Sequence, residues 1–244
     1  MGNGMVEPSG TSFNEGTDVR RFDGVLFDCD GVLVDSEGIT NNVLREMLHE
    51  LGWSITRDEC IRLFIGRALK DQWAVILEHT GFRITDEWIL SFRERRDERL
   101  RAQLTPMPGA RDAVAEASLM FHGRIACATG ADYAKAVMQL SVTGLSALFE
   151  SRIFSGMDLP RTKPAPDVYL AAAKAIGVAP ARALVVEDTA SGVTAGIAAG
   201  ATVLGLSVGA PTSTPPEKLI EAGATRVISA MHELPGAILA LQTV

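Results

Sequence analysis

Short apolar runs alternate with longer segments of helical character along most of the chain. The runs are rich in Val, Ile, Leu and Ala, and they lie at Gly24–Phe27, Arg124–Thr129, Arg152–Phe154, Ala183–Val186, Thr202–Leu206 and Arg226–Ile228. Because stretches long enough for a helix separate most of these runs, the alternation predicts an α/β fold, a parallel sheet flanked by helices. In such sheets, ligands bind in a crevice at the carboxyl ends of the strands.

One long stretch, between the first two apolar runs, departs from this alternation. From Glu37 to Leu104 the apolar residues recur with helical spacing, and no convincing strand appears. Thr56 and Glu59 form the sequence pattern of a capping box, which marks the start of a helix. We therefore predict that residues 37–104 form an all-helical unit inserted into the α/β core.

The rest of the chain divides into the core and a terminal segment. The core is predicted to comprise residues 20–36 and 105–244. Residues 1–19 are rich in Gly, Ser, Asn and Glu, a composition typical of a flexible tail. Within the helical unit, the run from Arg93 to Arg99 is densely charged, which predicts a solvated helix face with ion pairs.

Composition and charge exclude several classes of function. The 244 residues carry a formal net charge of −7, which disfavours binding to nucleic acid or to an anionic membrane through bulk electrostatics. No apolar run approaches the roughly 20 residues that span a bilayer. The three scattered cysteines, Cys29, Cys60 and Cys127, indicate neither a disulfide framework nor a zinc cluster. With no secretory pattern in the first residues, these features favour a reducing, cytoplasmic location.

The first apolar run leads directly into two carboxylates, Asp28 and Asp30, followed by Gly31. Side chains two positions apart share a face of an extended strand. Two carboxylates so close repel each other unless a cation neutralises them or one of them is protonated. Gly31 allows the chain to turn sharply without a side chain that would obstruct a ligand. For this motif alone, a solvated turn at a strand end is an equal alternative.

Two later segments offer groups that bind phosphate. Thr129 and Gly130 end the second apolar run, and their hydroxyl and backbone N–H can donate to a phosphate oxygen, although a threonine in this place is more often a helix cap. Lys163 precedes Pro164, which favours an extended backbone and points the lysine toward the crevice. A solvated surface lysine is the alternative.

A second pair of acids, Glu187 and Asp188, closes the strongly apolar fourth run. Four carboxylates at two strand ends favour Mg²⁺, which prefers oxygen ligands. Glycines then recur every four residues, at Gly192, Gly196 and Gly200. This spacing is not a dinucleotide fingerprint, and it predicts a helix that packs closely on the sheet.

Taken in order, these motifs resemble those of the haloacid dehalogenase-like (HAD) hydrolase superfamily. The four motifs are Asp28-Cys29-Asp30-Gly31, Thr129, Lys163-Pro164 and Glu187-Asp188. The resemblance extends from about Phe22 to Leu206, and the helical insertion after the first motif resembles the cap of the β-phosphoglucomutase and phosphoglycolate phosphatase branch. It implies a Rossmann-like core with a small helical cap domain that closes over the site.

The resemblance also implies catalytic roles and a cofactor. Asp28 is expected to be the nucleophile that forms an aspartyl-phosphate, and Asp30 the general acid and base. The expected cofactor is Mg²⁺, held by Asp28, the backbone carbonyl of Asp30, and Asp188, with Glu187 as a direct or water-mediated ligand.

The resemblance implies further contacts for the substrate. Thr129, Gly130 and Lys163 are expected to bind the phosphoryl oxygens. Position 130 is often Asn in relatives, so a side-chain contact is not expected from Gly130. The loop around Arg67 and Lys70 resembles the specificity loop of the cap, and both residues are candidates for contact with a substrate anion or hydroxyl. A solvated helix end is the alternative for each.

The resulting expectation is Mg²⁺-dependent hydrolysis of a small phosphomonoester, above all a sugar phosphate. One alternative is a sugar phosphomutase of the β-phosphoglucomutase type, which shares the first half-reaction. A remote alternative is a signalling domain that is phosphorylated on aspartate. The expected partner is a small phosphorylated metabolite, with no nucleic acid or membrane, and the chain is expected to be a monomer or a homodimer.

Overall fold

A computed structural model describes residues 21–65 and 69–242, so the predicted tail, residues 1–19, lies outside the described residues. Six parallel strands form one sheet: β1 Gly24–Phe27, β2 Ile125–Thr129, β3 Ile153–Ser155, β4 Ala183–Glu187, β5 Thr202–Leu206 and β6 Arg226–Ile228. Their order across the sheet is β3-β2-β1-β4-β5-β6, the doubly wound order of Rossmann-like folds. The predicted α/β class is confirmed, and each predicted apolar run contains a strand.

Helices fill the segments between the strands. They are α1 Glu37–Glu50, α2 Arg57–Phe64, α3 Trp73–Thr80, α4 Asp86–Gln103, α5 Ala110–Met120, α6 Tyr133–Val142, α7 Ser146–Phe149, α8 Asp167–Ala175, α9 Ala190–Ala198, α10 Pro216–Glu221 and α11 Leu234–Gln242. Short 3₁₀ turns lie at Leu69–Gln72, Gly156–Asp158, Pro180–Arg182 and Met231–Glu233. In the part of the chain described, no helix combines the length and the apolar character needed to cross a bilayer.

Strand β1 lies in the middle of the sheet, between β2 and β4. Phe27, its last residue, is in register with Cys127 of β2 and Val186 of β4. Alternate residues of β1 enter different apolar clusters, Val25 on one face of the sheet and Leu26 on the other. Because both faces are covered, the strand is apolar throughout, and the first polar side chain after it emerges at the carboxyl edge of the sheet.

Residues 37–103 are helical wherever they have regular structure, and the structure shows no strand in the described part of this stretch. These helices form an apolar cluster of their own, which includes Val43, Leu48 and Phe92. The two ends of this stretch join the core, since Ile39 of α1, and Leu100 and Leu104 at the end of α4, pack against the core cluster. We therefore propose that residues 37–104 form the cap domain and that residues 20–36 and 105–244 form the core.

The charged run on α4 divides between two environments. Arg95 pairs with Glu50 at 2.6 Å and Arg99 with Glu46 at 3.0 Å, so these two arginines fasten α4 to α1 at the surface. The prediction of a solvated face is wrong for Arg96, which is 9% exposed. Its guanidinium lies over the Phe92 ring and contacts Asp97 and Asp132, which offset the cost of burying the charge.

Candidate active site

The carboxyl ends of β1, β2 and β4 meet at the edge of a cavity of about 460 Å³. The core lines it with Asp28, Asp30, Thr129, Gly130, Lys163 and Glu187. The helical unit lines the opposite side with Glu37, Thr40, Asn41, Lys70, Arg93 and Arg96, among apolar residues that include Leu44, Phe64 and Phe92. The structure thus brings the predicted core residues together, and it places them opposite the proposed cap.

Lys163 is the cation at the centre of this site. Its Nζ donates to Asp28 Oδ1 at 2.6 Å and to Glu187 Oε1 at 2.7 Å, and it lies 4.7 Å from the centre of the Tyr169 ring. Burial opposes a charge on Lys163, but the two carboxylates outweigh burial and hold its pKa well above the ordinary value. Lys163 is therefore a fixed positive charge beside Asp28.

Hydrogen bonds occupy both oxygens of Glu187. Oε1 accepts from Lys163 and from the Tyr169 hydroxyl at 2.9 Å, and Oε2 accepts from the backbone N–H groups of Asp188 and Thr189, each at 2.9 Å, and from the Thr189 hydroxyl. Gly192, in the first turn of α9, makes room for this side chain, since a Cβ there would lie 1.6 Å from Glu187 Oε1. The arrangement holds Glu187 rigidly against Lys163.

The predicted close packing of α9 on the sheet holds for one of its glycines. A Cβ at Gly196 would lie 2.7 Å from Val203 Cγ2 and 3.4 Å from Val185 Cγ1, both in strands of the sheet. Gly192 differs because its neighbour is the Glu187 carboxylate. Gly200, just beyond the helix, has a φ of +86°, which favours glycine.

The acids near Asp188 form a site that fits a divalent cation. Asp28, Glu187 and Asp188 each offer an oxygen, and these oxygens lie within 4.8 Å of one another. Burial raises the pKa of Asp188 well above its ordinary value, as do the neighbouring carboxylates, and burial raises that of Asp28 to about 7 against the opposing effect of Lys163. The buried Asp188 Oδ1 has no hydrogen-bond partner among the described residues. A cation would satisfy that oxygen and neutralise the acids.

Gly31 is a close neighbour of this acidic group. Its φ is +76°, and a Cβ at this position would lie 2.1 Å from Asp188 Oδ2. Glycine is therefore required both by the backbone conformation and by the approach of the carboxylate. This agrees with the expectation that Gly31 turns the chain without obstructing the site.

The side chain of Asp30 is held by a separate set of donors. Lys135 Nζ donates to both its oxygens, at 2.8 and 2.9 Å, Gln139 Nε2 donates at 2.8 Å, and the Ser36 hydroxyl donates as well. Burial raises the pKa of Asp30, but Lys135 and these hydrogen bonds outweigh burial and lower it to about 2. Asp30 is thus ionised in this arrangement, whereas the expected general acid must carry a proton.

Thr129 and Gly130 lie beside Lys163. Thr129 is 1% exposed, and its hydroxyl oxygen accepts from the Ala131 N–H at 3.0 Å, so it supports the turn as a cap would while it also lines the cavity. Gly130 is exposed, and a Cβ there would meet only Lys163 Cδ, at 3.9 Å. Both residues are placed to contact a group bound next to Lys163.

Of the two residues expected in the specificity loop, Lys70 lines the cavity, whereas Arg67 lies outside the described residues. The sequence did not identify several further residues that contact the acids of the site or line its cavity: Lys135, Gln139, Tyr169, Thr40, Asn41, Arg93 and Arg96. A local signal existed for Lys135 and Gln139, which lie one helical turn apart just after Thr129.

Comparisons with known proteins agree with the motifs. Residues 22–200 match the haloacid dehalogenase-like hydrolase family. The 6-phosphogluconate phosphatase of Escherichia coli (strain K12) is 31% identical over 75% of this chain and 81% of that protein. Protein SUPPRESSOR OF QUENCHING 1, chloroplastic, of Arabidopsis thaliana is also 31% identical over 75% of this chain, which spans only 17% of that protein's length.

A solved structure extends the agreement to the fold. It is that of a conserved haloacid dehalogenase-like protein of unknown function from Agrobacterium tumefaciens str. C58, which is 32% identical, with a TM-score of 0.79. The match covers 90% of this chain and 99% of that one. Together with the family match over residues 22–200, it confirms the resemblance seen in the motifs: the chain belongs to the haloacid dehalogenase-like hydrolase family.

Proposed function

We propose that this protein is a phosphatase that hydrolyses a small phosphorylated sugar, with Asp28 as the nucleophile. The observation that carries the proposal is the buried contact between Asp28 and Lys163, at 2.6 Å, on the floor of a cavity large enough for a small metabolite. The similarity to a 6-phosphogluconate phosphatase supports the substrate class.

The proposed reaction has two steps, and the first transfers the phosphoryl group to the protein. An oxygen of Asp28 attacks the phosphorus, the bond from phosphorus to the leaving oxygen breaks, and an aspartyl-phosphate forms. Water then attacks the phosphorus and releases phosphate, which restores the carboxylate. Lys163, Thr129 and Gly130 line the cavity, and we propose that Lys163, the Thr129 hydroxyl and the Gly130 N–H bind the phosphoryl oxygens and stabilise their negative charge in both steps.

We further propose that Asp28, Asp188 and the backbone carbonyl of Asp30 hold Mg²⁺. When bound, this ion would neutralise charge on the transferring phosphoryl group. Glu187 offers an oxygen near the same place, but its five hydrogen bonds indicate a different role, to position Lys163.

The proposed acid role of Asp30 requires a change of partners. While Lys135 contacts both its oxygens, the pKa of Asp30 is about 2 and the carboxyl cannot supply a proton near neutral pH. Loss of that contact would raise its pKa. We therefore propose that Asp30 acts in a state in which its carboxyl faces the leaving oxygen of the substrate instead of Lys135.

The test is phosphate release from a panel of sugar phosphates, with Mg²⁺ and with the metal chelated. Release should require Mg²⁺ and should fall by roughly 10⁴-fold or more in Asp28→Asn, as expected when a nucleophile is lost. Asp112→Asn, at an exposed position of α5, is the matched control. Release that persists in Asp28→Asn would contradict the proposal.

Two other outcomes would favour the alternatives. Interconversion of sugar phosphates with little free phosphate would indicate a phosphomutase. An aspartyl-phosphate that persists for minutes without turnover would indicate a signalling domain.

A further inference from the structure

Two side-chain oxygens on the cap side of the active-site cavity lack protein partners among the described residues. Thr40 and Asn41 are neighbours on α1, and both line the cavity. Asn41 is 4% exposed, and across residues 21–65 and 69–242 neither Asn41 Oδ1 nor Thr40 Oγ1 finds a hydrogen-bond partner. Because a buried polar atom without a partner costs free energy, its presence beside a cavity indicates that a ligand completes the hydrogen bonding.

The chemistry of these two side chains narrows the class of ligand. A carboxamide and a hydroxyl can each donate and accept a hydrogen bond. A substrate hydroxyl does the same, whereas an apolar group would leave both side chains unsatisfied. Thr40 and Asn41 therefore match a hydroxylated carbon chain.

The cationic side chains that line the cavity, among the described residues, fall into two groups, those with acidic partners and those without. Lys163 is engaged by Asp28 and Glu187, and Arg96 is engaged by Asp97 at 2.7 Å and by Asp132 at 3.7 Å. Lys70 and Arg93 also line the cavity, and neither forms an ion pair with any residue that the structure describes.

The contrast is sharpest along α4 itself. Arg95 and Arg99 face α1 and are paired with glutamates, but Arg93 lines the cavity without such a partner. Two cations without acidic partners at the cap side of a substrate cavity are suited to bind an anion. A guanidinium binds a carboxylate or a phosphate through two parallel hydrogen bonds.

We propose that Thr40, Asn41, Lys70 and Arg93, here called the cap wall, select a substrate that carries a second anionic group at the end opposite its phosphate, joined by a hydroxylated chain. The inference rests on the proposed function, because it takes the transferred phosphate to lie at Asp28 and Lys163. The cavity of about 460 Å³ is within the range of small-molecule sites, roughly 300–1,000 Å³.

The decisive experiment compares substrates that differ only in the second anion. 6-Phosphogluconate and glucitol 6-phosphate share a six-carbon hydroxylated chain, but the first has a carboxylate where the second has an alcohol. We expect kcat/KM to be about tenfold or more higher for 6-phosphogluconate, the size of one hydrogen-bonded charge contact. Fructose 1,6-bisphosphate and fructose 1-phosphate form a second pair, which shows whether a phosphate serves as the second anion.

Variants assign the preference to the cap wall. Arg93→Gln should reduce the ratio of the two kcat/KM values toward one, because it removes the charge that only the second anion contacts. Arg95→Gln is the matched control, since it changes an arginine two positions away that pairs with Glu50 on the outside, and it should leave the ratio as in the unaltered protein. Asn41→Leu should weaken hydrolysis of both hydroxylated substrates more than that of p-nitrophenyl phosphate, and thermal unfolding checks that each variant is folded.

The outcomes separate the two proposals. Equal kcat/KM values within both substrate pairs, in a protein whose turnover depends on Asp28, would overturn the cap-wall inference and leave the proposed function intact. A preference for the second anion that Arg93→Gln does not alter would also overturn the inference. No hydrolysis of the four substrates or of any other sugar phosphate in the panel would overturn both.

Discussion

The two sides of the active-site cavity differ in how their polar groups are satisfied. On the core side, Lys163 donates to Asp28 at 2.6 Å and to Glu187 at 2.7 Å, and protein donors occupy both oxygens of Glu187. On the cap side, Asn41 has a buried oxygen without a partner and Arg93 has no ion pair, within the part of the chain that the structure covers. The comparison indicates that Asp28, Lys163 and Glu187 are arranged before any ligand binds, whereas Asn41 and Arg93 are completed by the ligand. Asp188 on the core side resembles the cap side, since its buried Oδ1 has no partner among the described residues and fits a cation.

The largest effect should follow from removing the cation of the core side. Lys163→Met leaves Asp28 and Glu187 buried and unpaired, and we expect a loss of about 3–5 kcal/mol in the free energy of unfolding. Phosphate release should fall by about 10³-fold, because the proposed donor to the phosphoryl oxygens is lost. Urea unfolding and phosphate release measure the two effects, with the exposed Lys174→Met as control. A variant as stable as the original would show that the contacts of Lys163 with Asp28 and Glu187 do not stabilise the core side.

A smaller but still large effect should follow from crowding Glu187. Gly192→Ala would place a Cβ 1.6 Å from Glu187 Oε1, so the carboxylate must shift away from Lys163, and we expect a loss of about 3 kcal/mol with reduced turnover. Gly236→Ala in α11 is the matched control, since a Cβ there meets nothing within 4 Å. The two variants should separate clearly in thermal unfolding, and equal stabilities would contradict the rigidity assigned to Glu187.

A third variant tests the contact between Lys135 and Asp30. The pKa of Asp30 is about 2 in the folded chain against an ordinary 3.8, so the ionised form adds roughly 2 kcal/mol of stability at pH 7. Because the folded-state pKa is the lower one, this stability is present above the ordinary value and is lost as the pH falls toward 2. Lys135→Met should therefore be less stable at neutral pH, and the difference from the original should shrink on acidification. A difference that stays constant with pH would argue against the contact.

The smallest effect is expected at the surface pair that joins α4 to α1. Arg95→Gln removes an exposed contact with Glu50, and we expect a change below about 0.5 kcal/mol and no change in turnover. Chemical denaturation in low and high salt checks this. A large loss would mean that the packing of the cap helices depends on this pair more than on their apolar cluster.

The core side could be foreseen from the sequence because its signals are local. Each apolar run ends where a polar motif begins, and parallel strands bring such ends to one edge, so Asp28, Glu187 and Asp188 were expected together. The strand bounds differ from the predicted ones by one residue at most, as at β4, which extends to Glu187. The order of the motifs along the chain was therefore sufficient to predict that these acids meet at one edge of the sheet.

The cap side could not be foreseen in the same way. Helical spacing groups residues by face, but only the packing of α4 on α1 decides which face meets the cavity, so Arg93 could not be separated from Arg95. Tyr169 was also missed. Its hydroxyl reaches Glu187 from α8, and helical spacing alone does not show that this face of α8 meets Glu187. Gly192 was singled out by its spacing, but the spacing predicted packing on the sheet and did not show that its neighbour is the Glu187 carboxylate.

The central place of β1 in the sheet also has a consequence for how the chain folds. Gly24 pairs with Ala183 and Val25 with Ile125, so the strand that leads into Asp28 is synthesised before either of its neighbours in the sheet. Contacts so distant in sequence slow folding. We expect pulse-labelled hydrogen exchange to show β1 gaining protection late, after the local helices, so that Asp28 and Glu187 meet Lys163 only when the sheet is complete.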